Sequence, residues 1–501
     1  MPFSSHTQLP VYRTAEIRDL ETAAVKTHPS PGLMERAGLA AAQIARDVAT
    51  DGGRGVLVIA GPGNNGGDAL VVARHLKAWW FKVDIVFTGD PLKLAADAQA
   101  ALSAWRDSGG TTLESIPPNR HWDLVVDGLF GIGLQRDLEG KYASLVEAIN
   151  QLDASVLALD VPSGLDSDTG RVRGCAVHAD HTATFIGLKP GLLTLEGPDY
   201  SGEIHLRTLD LDTSMARAAR GAVIGSEIIQ SVLPARRANS HKGDYGSVGI
   251  IGGAPGMAGA AVLAGRAALQ LGAGRVYLGL LAGEGPGYDL VQPELMLRPA
   301  HEILQLDHLH CLAIGPGLGQ SLDAHHLLSA TLQRATPLVL DADALNLIAA
   351  DPALQQLIKQ RSAPALLTPH PAEAARLLAR GTANVQADRI AATCEIAARF
   401  RAAVVLKGAG SVCAMPDGKW FINTTGNPGM ASAGMGDVLT GFLAALLAQG
   451  AAVHDALLAG VHLHGAAGDA VAAENGQTGI TASECIAAAR RLFNRARNDA
   501  R

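Results

Sequence analysis

Val56-Leu-Val-Ile-Ala-Gly-Pro-Gly-Asn-Asn-Gly-Gly-Asp68 sets an apolar, β-branched run against a stretch dominated by glycine and by polar side chains. The apolar half has the length and composition of a strand buried on both faces. Gly61, Gly63 and Gly66 follow in Gly-x-Gly-x-x-Gly spacing, which lets bare backbone amides and a helix N-terminus approach a pyrophosphate. A helix is expected from Ala69 to Trp79. Strand, glycine loop and helix together open a parallel α/β sheet, and the carboxyl ends of its strands are where such sheets hold ligands. A tight turn alone accounts for the glycines but not for Asn64, Asn65 and Asp68. The acid expected about 20 residues on would be Asp84. It falls inside the next apolar run, Val83 to Phe87, which argues against ordinary dehydrogenase use.

Outward from this unit the rhythm continues. Leu124 to Asp127 and Val156 to Asp160 are strand-like, and helical sequence alternates with strands from about Arg54 to Leu206. Two amphipathic stretches before it, Arg13 to Val25 and Pro31 to Val48, are expected to pack on the sheet as helices. Between Leu209 and Ser240 the strand pattern stops, and a polar Ala/Arg-rich passage with Pro234, Arg236 and Arg237 reads as a domain boundary. The rhythm restarts with Val248–Gly252, Val276–Leu280, Leu312–Gly315, Leu338–Asp341, Ala365–Thr368 and Val404–Lys407. Gly434 to Gly450, His454 to Ala473 and Ala482 to Arg497 read as closing helices. The fold class is therefore α/β in two domains, 1–215 and 222–501.

Composition fits. The chain has 501 residues, 48% apolar and 18% charged, with 4% aromatics and 57 glycines, so its cores must be aliphatic and its turns tight. A net charge of −7 without long Lys/Arg runs leaves no footprint for nucleic acid. Cys175, Cys311, Cys394, Cys413 and Cys485 are scattered, with no Cys-x-x-Cys pair, and read as reduced core residues. Met1 to Pro10 lacks the features of an export signal, and no apolar run reaches the roughly 18 residues of a spanning helix. A cytoplasmic protein without membrane partners is the expectation.

Polar residues gather at strand ends. Asp127-Gly-Leu-Phe-Gly-Ile-Gly133 and Asp160-Val-Pro-Ser-Gly-Leu-Asp166 follow two strands that would lie beside the first. Asp127, Asp160, Ser163 and Asn65 would then converge, giving hard oxygen ligands for a cation and a carboxylate for proton transfer. One such Asp alone is most often a helix N-cap. Three strand ends behaving alike point to a ligand.

The second half is denser. His241-Lys-Gly-Asp-Tyr-Gly246, Gly252-Gly-Ala-Pro-Gly-Met-Ala-Gly259, Gly315-Pro-Gly-Leu-Gly319, Asp341-Ala-Asp-Ala-Leu-Asn346, Thr368-Pro-His-Pro-Ala-Glu373 and Lys407-Gly-Ala-Gly-Ser411 all flank strands. Asn427-Pro-Gly-Met-Ala-Ser-Ala-Gly-Met-Gly-Asp437 opens a helix. Gly434 to Gly436 would offer bare amides at that helix's positive end, an anion hole for a migrating phosphoryl group. Asp437 beside it would accept the proton of an attacking hydroxyl. His370, between two prolines and near Glu373, reads as a substrate contact, while Lys242 stays open.

Gly61–Asp68 with Asp127–Gly133 and Leu159–Gly164 resembles the epimerase domain of the NAD(P)H-hydrate repair enzymes, a Rossmann-like αβα sandwich. The resemblance implies that Asn64, Asn65, Gly66, Gly67 and Asp68, with Gly131, Ile132, Gly133, Leu134, Gln135, Arg136 and Asp137, contact the hydrated dinucleotide. It further implies that Asn65, Asp127 and Ser163 hold potassium and that Asp160 is the acid/base and touches substrate. Ala69 stands where the family usually has Gly. The span from about Arg237 to Leu492 resembles the ribokinase-like ADP-dependent NAD(P)H-hydrate dehydratases. There the resemblance assigns Lys407, Gly408, Ala409, Gly410, Ser411, Gly436 and Asp437 to the adenine nucleotide, Ala258, Gly319 and His370 to the hydrate, and the base to Asp437. Met435 replaces the usual Ser, Thr or Ala, and Ser411 a frequent Thr.

What this implies is repair. The second domain would phosphorylate the 6-hydroxyl of the S hydrates of NADH and NADPH from ADP, phosphate would leave, and AMP and the restored dihydronicotinamide would result. The first would interconvert R and S hydrates. Potassium in the first domain, Mg²⁺ with ADP in the second and a homo-oligomeric assembly belong to this expectation. How Mg²⁺ is held, ADP against ATP, and NADH hydrate against NADPH hydrate stay open. The competing readings are an ATP-dependent kinase of a small alcohol with a regulatory nucleotide-binding N-terminal domain, and a first domain that only binds.

Overall fold

The computed structural model describes residues 7–27, 32–49, 55–211, 219–283 and 287–499. The domain limits expected at residues 1, 215 and 501, and the starts expected at Pro31 and Arg54, lie outside them. The chain divides into two compact units, Pro10–Arg220 and Gly221–Arg501.

The first unit is built on the strands β1 (Val56–Ala60), β2 (Val83–Phe87), β3 (Leu124–Gly128), β4 (Ser155–Leu159), β5 (His181–Phe185) and β6 (Glu203–Arg207), in the order β2-β1-β3-β4-β5-β6. Every pairing is parallel. Alternate side chains serve opposite faces. Val56, Val58 and Ala60 pack with Ile17, Leu20, Ala41 and Ile44 of the helices Thr14–Thr27 and Leu33–Val48. Leu57 and Ile59 pack with Val146 and Ile149 of the helix Lys141–Asn150. Helices on both faces bury the central strands, which is why β1 is apolar throughout, whereas the edge strand β6 keeps polar residues.

The second unit carries β7 (Gly221–Val223), β8 (Ser247–Gly252), β9 (Arg275–Leu280), β10 (Met296–Pro299), β11 (Cys311–Ile314), β12 (Leu338–Leu340), β13 (Ala365–Leu367), β14 (Ala403–Leu406), β15 (Val412–Ala414) and β16 (Trp420–Ile422). They run β7-β16-β15-β14-β13-β12-β11-β8-β9-β10, parallel except where β15 pairs with β14 and β16. Val248, Ile250, Ala313 and Val339 pack with Val438, Phe442, Leu457 and Cys485 of the helices Met435–Ala448, Val453–Asn475 and Ala482–Asp499. Leu312, Ile314, Leu338 and Leu340 are buried on the opposite face. The helix Met435–Ala448 is buried on nearly all sides, as its sequence, apolar all round beyond Thr440, requires.

Three expectations need correction. The polar passage Leu209–Ser240 is not free of strands, because β7 lies within it; three residues are too few to show a period. The helix expected from Ala69 begins at Asn64, so the glycine run is its first turn rather than a loop. Gly66 makes this possible, since a Cβ there would lie 2.0 Å from the carbonyl oxygen of Gly61. Finally, Cys175 and Cys394 are only partly buried, while Cys311, Cys413 and Cys485 are core residues as expected. Among the described residues no helix is long and apolar enough to cross a membrane.

Candidate active sites at the strand ends

In the first unit, β1, β3 and β4 end side by side, with Ala60 opposite Gly128 and Asp127 opposite Ala158. A cavity of about 700 Å³ opens above these ends. Asn64, Asn65, Asp68, Gly131, Ile132, Gly133, Leu134 and Asp160 line it. Gly66 and Gly67 are buried in the helix start behind the wall, and Gln135, Arg136 and Asp137 are exposed outside it. Asp84 accepts from Trp122 Nε1 at 2.8 Å and pairs with Arg120 at 3.0 Å, so it is a structural residue.

Asp160 stands just past β4 with φ of +64°, a left-handed conformation that a non-glycine residue adopts at a cost of order 1 kcal/mol. The surroundings hold it there. Its amide donates to Ala183 O at 2.7 Å, and its carboxylate accepts from Phe185 N at 3.2 Å and from the fully buried ammonium of Lys189. Lys189 Nζ also donates to Thr184 Oγ1 at 3.0 Å and to Phe185 O at 2.7 Å. Burial and then the neighbouring carboxylates of Asp160 and Glu21 push the Asp68 carboxyl well above its usual range. Burial, with Asp160, raises Glu21 too. Burial thus favours the protonated form of Asp68 and Glu21 beside the fixed cation of Lys189.

Asp127 is fully buried and tied to the β4 loop: it accepts from Ser163 Oγ at 2.6 Å, Ser163 N at 2.8 Å and Leu129 N at 3.2 Å. Burial raises its carboxyl despite the Ser163 bonds. Close by, Asn65 packs against Gly131, where an added Cβ would lie 3.2 Å from its Oδ1. Asn65 Nδ2 is buried without a hydrogen-bond partner. Because amide O and N are told apart only by their partners, a turned amide would aim an unsatisfied oxygen into the same space, which suits a cation.

In the second unit the chemistry gathers on Asp341 and Lys407. Lys407 Nζ donates to Asp341 Oδ1 at 2.9 Å, Thr368 Oγ1 donates to the same oxygen at 2.7 Å, and Thr440 Oγ1 donates to Oδ2 at 2.9 Å. Gly436 adjoins this cluster, since a Cβ on it would sit 3.2 Å from Lys407 Nζ and 3.7 Å from Asp341 Oδ2. Gly434 caps the helix with φ of +87°, a conformation glycine takes freely. Asp437 lies in the first turn. Burial and then Asp341 push its carboxyl up to about 7, against the pull of Lys407. Burial alone would lower the Lys407 ammonium, but Asp341, Glu373 and Asp437 outweigh it and raise it.

His370 caps its helix, with Nδ1 accepting from Ala372 N at 3.1 Å and Glu373 Oε2 accepting from His370 N at 2.7 Å. Its ring stays partly exposed, and burial together with Lys407 lowers its pKa. Gly319 N donates to Asp343 Oδ2 at 2.9 Å, and Ala258 opens the helix after β8. These loops meet through Gly253 N to Pro316 O at 2.9 Å and Ala254 N to Gly317 O at 2.6 Å. In the Lys407–Ser411 turn, Ser411 Oγ donates to Gly408 O at 3.0 Å. Gly408, with φ of +140°, permits that turn.

Sequence reasoning missed several residues here. Lys189 and Glu21 lie outside the glycine motifs, and Thr440 is 99 residues from Asp341. Asp469 also ties down the segment that leads to Gly434, accepting from Gly426 N at 2.8 Å and Asn427 Nδ2 at 2.9 Å. Lys242 lines a separate cavity of about 1090 Å³ with Arg236, Arg237 and Arg490. That cavity borders Gly274, just before β9 begins, at the edge opposite the carboxyl ends.

Residues 248–491 match the family model described as NAD(P)H-hydrate dehydratase, and residues 30–191 match the one described as YjeF-related protein N-terminus. The chain is similar to the bifunctional NAD(P)H-hydrate repair enzyme of Escherichia coli (strain K12), 40% identical over 92% of this chain and 89% of the relative. It is also similar to the enzyme of the same description from Coxiella burnetii, 38% identical over 97% and 99%. Among solved structures, the ADP/ATP-dependent NAD(P)H-hydrate dehydratase of Bacillus subtilis, co-crystallised with ATP and Mg²⁺, is 31% identical over 55% of this chain and 98% of that one, with a TM-score of 0.49.

Proposed function

The chain belongs to the family of bifunctional NAD(P)H-hydrate repair enzymes, and we propose that Asp160 and Asp437 are the acid/base residues of its two activities. It epimerises the R and S hydrates of NADH and NADPH, and it dehydrates the S form as ADP becomes AMP and phosphate. The kinase reading has no comparable support, because both family matches fall on repair domains.

For the dehydratase, the observation that carries the assignment is the convergence of Asp437, Lys407 and Gly436 at one helix N-terminus. A carboxyl poised at about 7 exchanges protons near neutral pH. Asp437 takes the proton of the substrate hydroxyl as its oxygen bonds to the terminal phosphorus of ADP and AMP departs. The amides of Gly434 to Gly436 and the ammonium of Lys407 face the charge on the moving phosphoryl group. Phosphate then leaves the ring carbon far more readily than hydroxide would, a proton leaves the neighbouring ring carbon to solvent, and the electron pair of that C–H bond restores the dihydronicotinamide double bond. Asp341, held by Thr368 and Thr440, fixes Lys407. Mg²⁺ with ADP would supply charge neutralisation on the phosphates. Ala258, Gly319 and His370 are assigned to the hydrate, and Lys407 to Ser411 with Gly436 to the nucleotide.

For the epimerase, the dinucleotide occupies the cavity lined by Asn64, Asn65, Asp68 and Gly131 to Leu134. Asp160 delivers and removes the proton at the hydrated ring, with Lys189 fixing its position and Asp68 and Glu21 as proton reserves. Asn65, Asp127 and Ser163 would hold potassium, which supplies a fixed positive charge beside the loop. The unpartnered Asn65 amide supports this fit.

The test supplies each hydrate separately with ADP. Asp160→Ala should halt R-to-S conversion while S hydrate is still dehydrated, and Asp437→Ala should halt the return of NAD(P)H from either hydrate while R-to-S conversion persists. A variant pair that fails to separate the two activities would refute the assignment.

A further inference from the structure

His181 on β5 and Glu203 and His205 on β6 lie on the outer strands of the first sheet, in the register His181 opposite Glu203 and Ala183 opposite His205. Glu203 and His205 are two residues apart, so both project to the same face as His181. Their tips converge. His181 Nδ1 is 3.1 Å from His205 Nε2 and 3.5 Å from a Glu203 carboxylate oxygen, and all three ligand atoms lie within 4.8 Å of one another. Among the described residues, no other group of His, Cys, Asp or Glu brings three such atoms together so closely.

We propose that His181, Glu203 and His205 bind one divalent transition-metal ion of the zinc class. Metal–nitrogen bonds of about 2.0–2.1 Å at tetrahedral angles separate neighbouring ligand atoms by roughly 3.3 Å, close to the 3.1 and 3.5 Å that separate His181 Nδ1 from His205 and Glu203. Two imidazoles and one carboxylate form the borderline donor set that zinc, cobalt and copper prefer over magnesium or calcium. Glu203 is exposed, which leaves an entry path and a fourth position for water.

The site is separate from the cavity. His181 begins β5, whereas Phe185 and Ile186 at its far end line the cavity wall, and four strand residues span about 13 Å. A metal here therefore touches no substrate. Its consequence is mechanical: β6 is an edge strand, hydrogen-bonded on one side only, and an ion bridging it to β5 clamps that edge.

The test is titration of the full chain, free of any affinity tag and stripped with a chelator, with Co²⁺ and then Zn²⁺. One equivalent of Co²⁺ should develop the visible absorption of a tetrahedral site, and Zn²⁺ should displace it. His205→Ala and His181→Ala should weaken binding at least tenfold while R-to-S conversion persists. Glu203→Gln, at an exposed position, should weaken it with unchanged circular dichroism, which covers a histidine variant that fails to fold. No saturable equivalent, or binding that all three substitutions leave unaltered, would overturn the proposal.

Discussion

Lys407 Nζ meets Asp341 Oδ1 at 2.9 Å, joining the end of β14 to the end of β12. Asp341 is almost wholly buried, and its other donors are Thr368 and Thr440. Removing the ammonium leaves a buried carboxylate with hydroxyl partners only, and breaking a buried pair typically costs about 3–5 kcal/mol. Lys407→Met should therefore lower the stability of the second unit by about 3 kcal/mol in denaturant titration. It should also cut dehydration at least a hundredfold.

Gly436→Ala tests the same point from the other side. The new Cβ would come within 3.2 Å of Lys407 Nζ, so the ammonium must move away from the anion hole. The expected result is a raised KM for ADP and a tenfold or greater fall in kcat, with epimerisation unaltered.

Asp437 sets a pH dependence. Burial and Asp341 push its carboxyl up to about 7 in the fold, from an ordinary 3.8. As the base it must be ionised, so kcat/KM for dehydration should rise with pH and level off above 7. The sign for stability is the reverse. A raised carboxyl pKa contributes stability below about pH 4 that is lost as pH rises to 7. Asp437→Asn should consequently abolish dehydration yet raise Tm by a few degrees at pH 8, a gain that shrinks between pH 7 and 4.

In the first unit, Lys189→Met should uncouple Asp160 from its left-handed position. R-to-S conversion should fall at least a hundredfold, and dehydration of S hydrate should continue in the same preparation.

Potassium dependence gives a further check. Exchanging K⁺ for Li⁺ should slow epimerisation in the unaltered chain and have little further effect in Asn65→Ala, whose activity is already reduced. Equal sensitivity in both would remove Asn65 from the cation site.

The main parallel strands were legible because each is buried on both faces and so is continuously apolar, as Val56–Ala60 and Ala403–Leu406 are. The short strands Gly221–Val223 and Val412–Ala414 were not, because three residues carry no period and their pairing comes from distant chain. Asp160 and Asp437 stood out by their place beside glycines at element ends. Lys189 did not: a buried lysine runs against its ordinary preference, and only the fold brings it to Asp160. By sequence Asn64–Asp68 has the character of a loop because Asn and Gly disfavour helix interiors, whereas the close approach of Gly66 to Gly61 requires glycine there. The partnership of Asp341 with Thr440 likewise depends on packing between elements far apart in sequence.

The most direct measurement follows (S)-NADPH hydrate and ADP incubated with the purified full chain, reading dihydronicotinamide absorbance alongside AMP and phosphate. One NADPH, one AMP and one phosphate should form per hydrate consumed, and Asp437→Ala should form none. A stable phosphorylated product without return of absorbance, or full turnover by Asp437→Ala, would contradict the account.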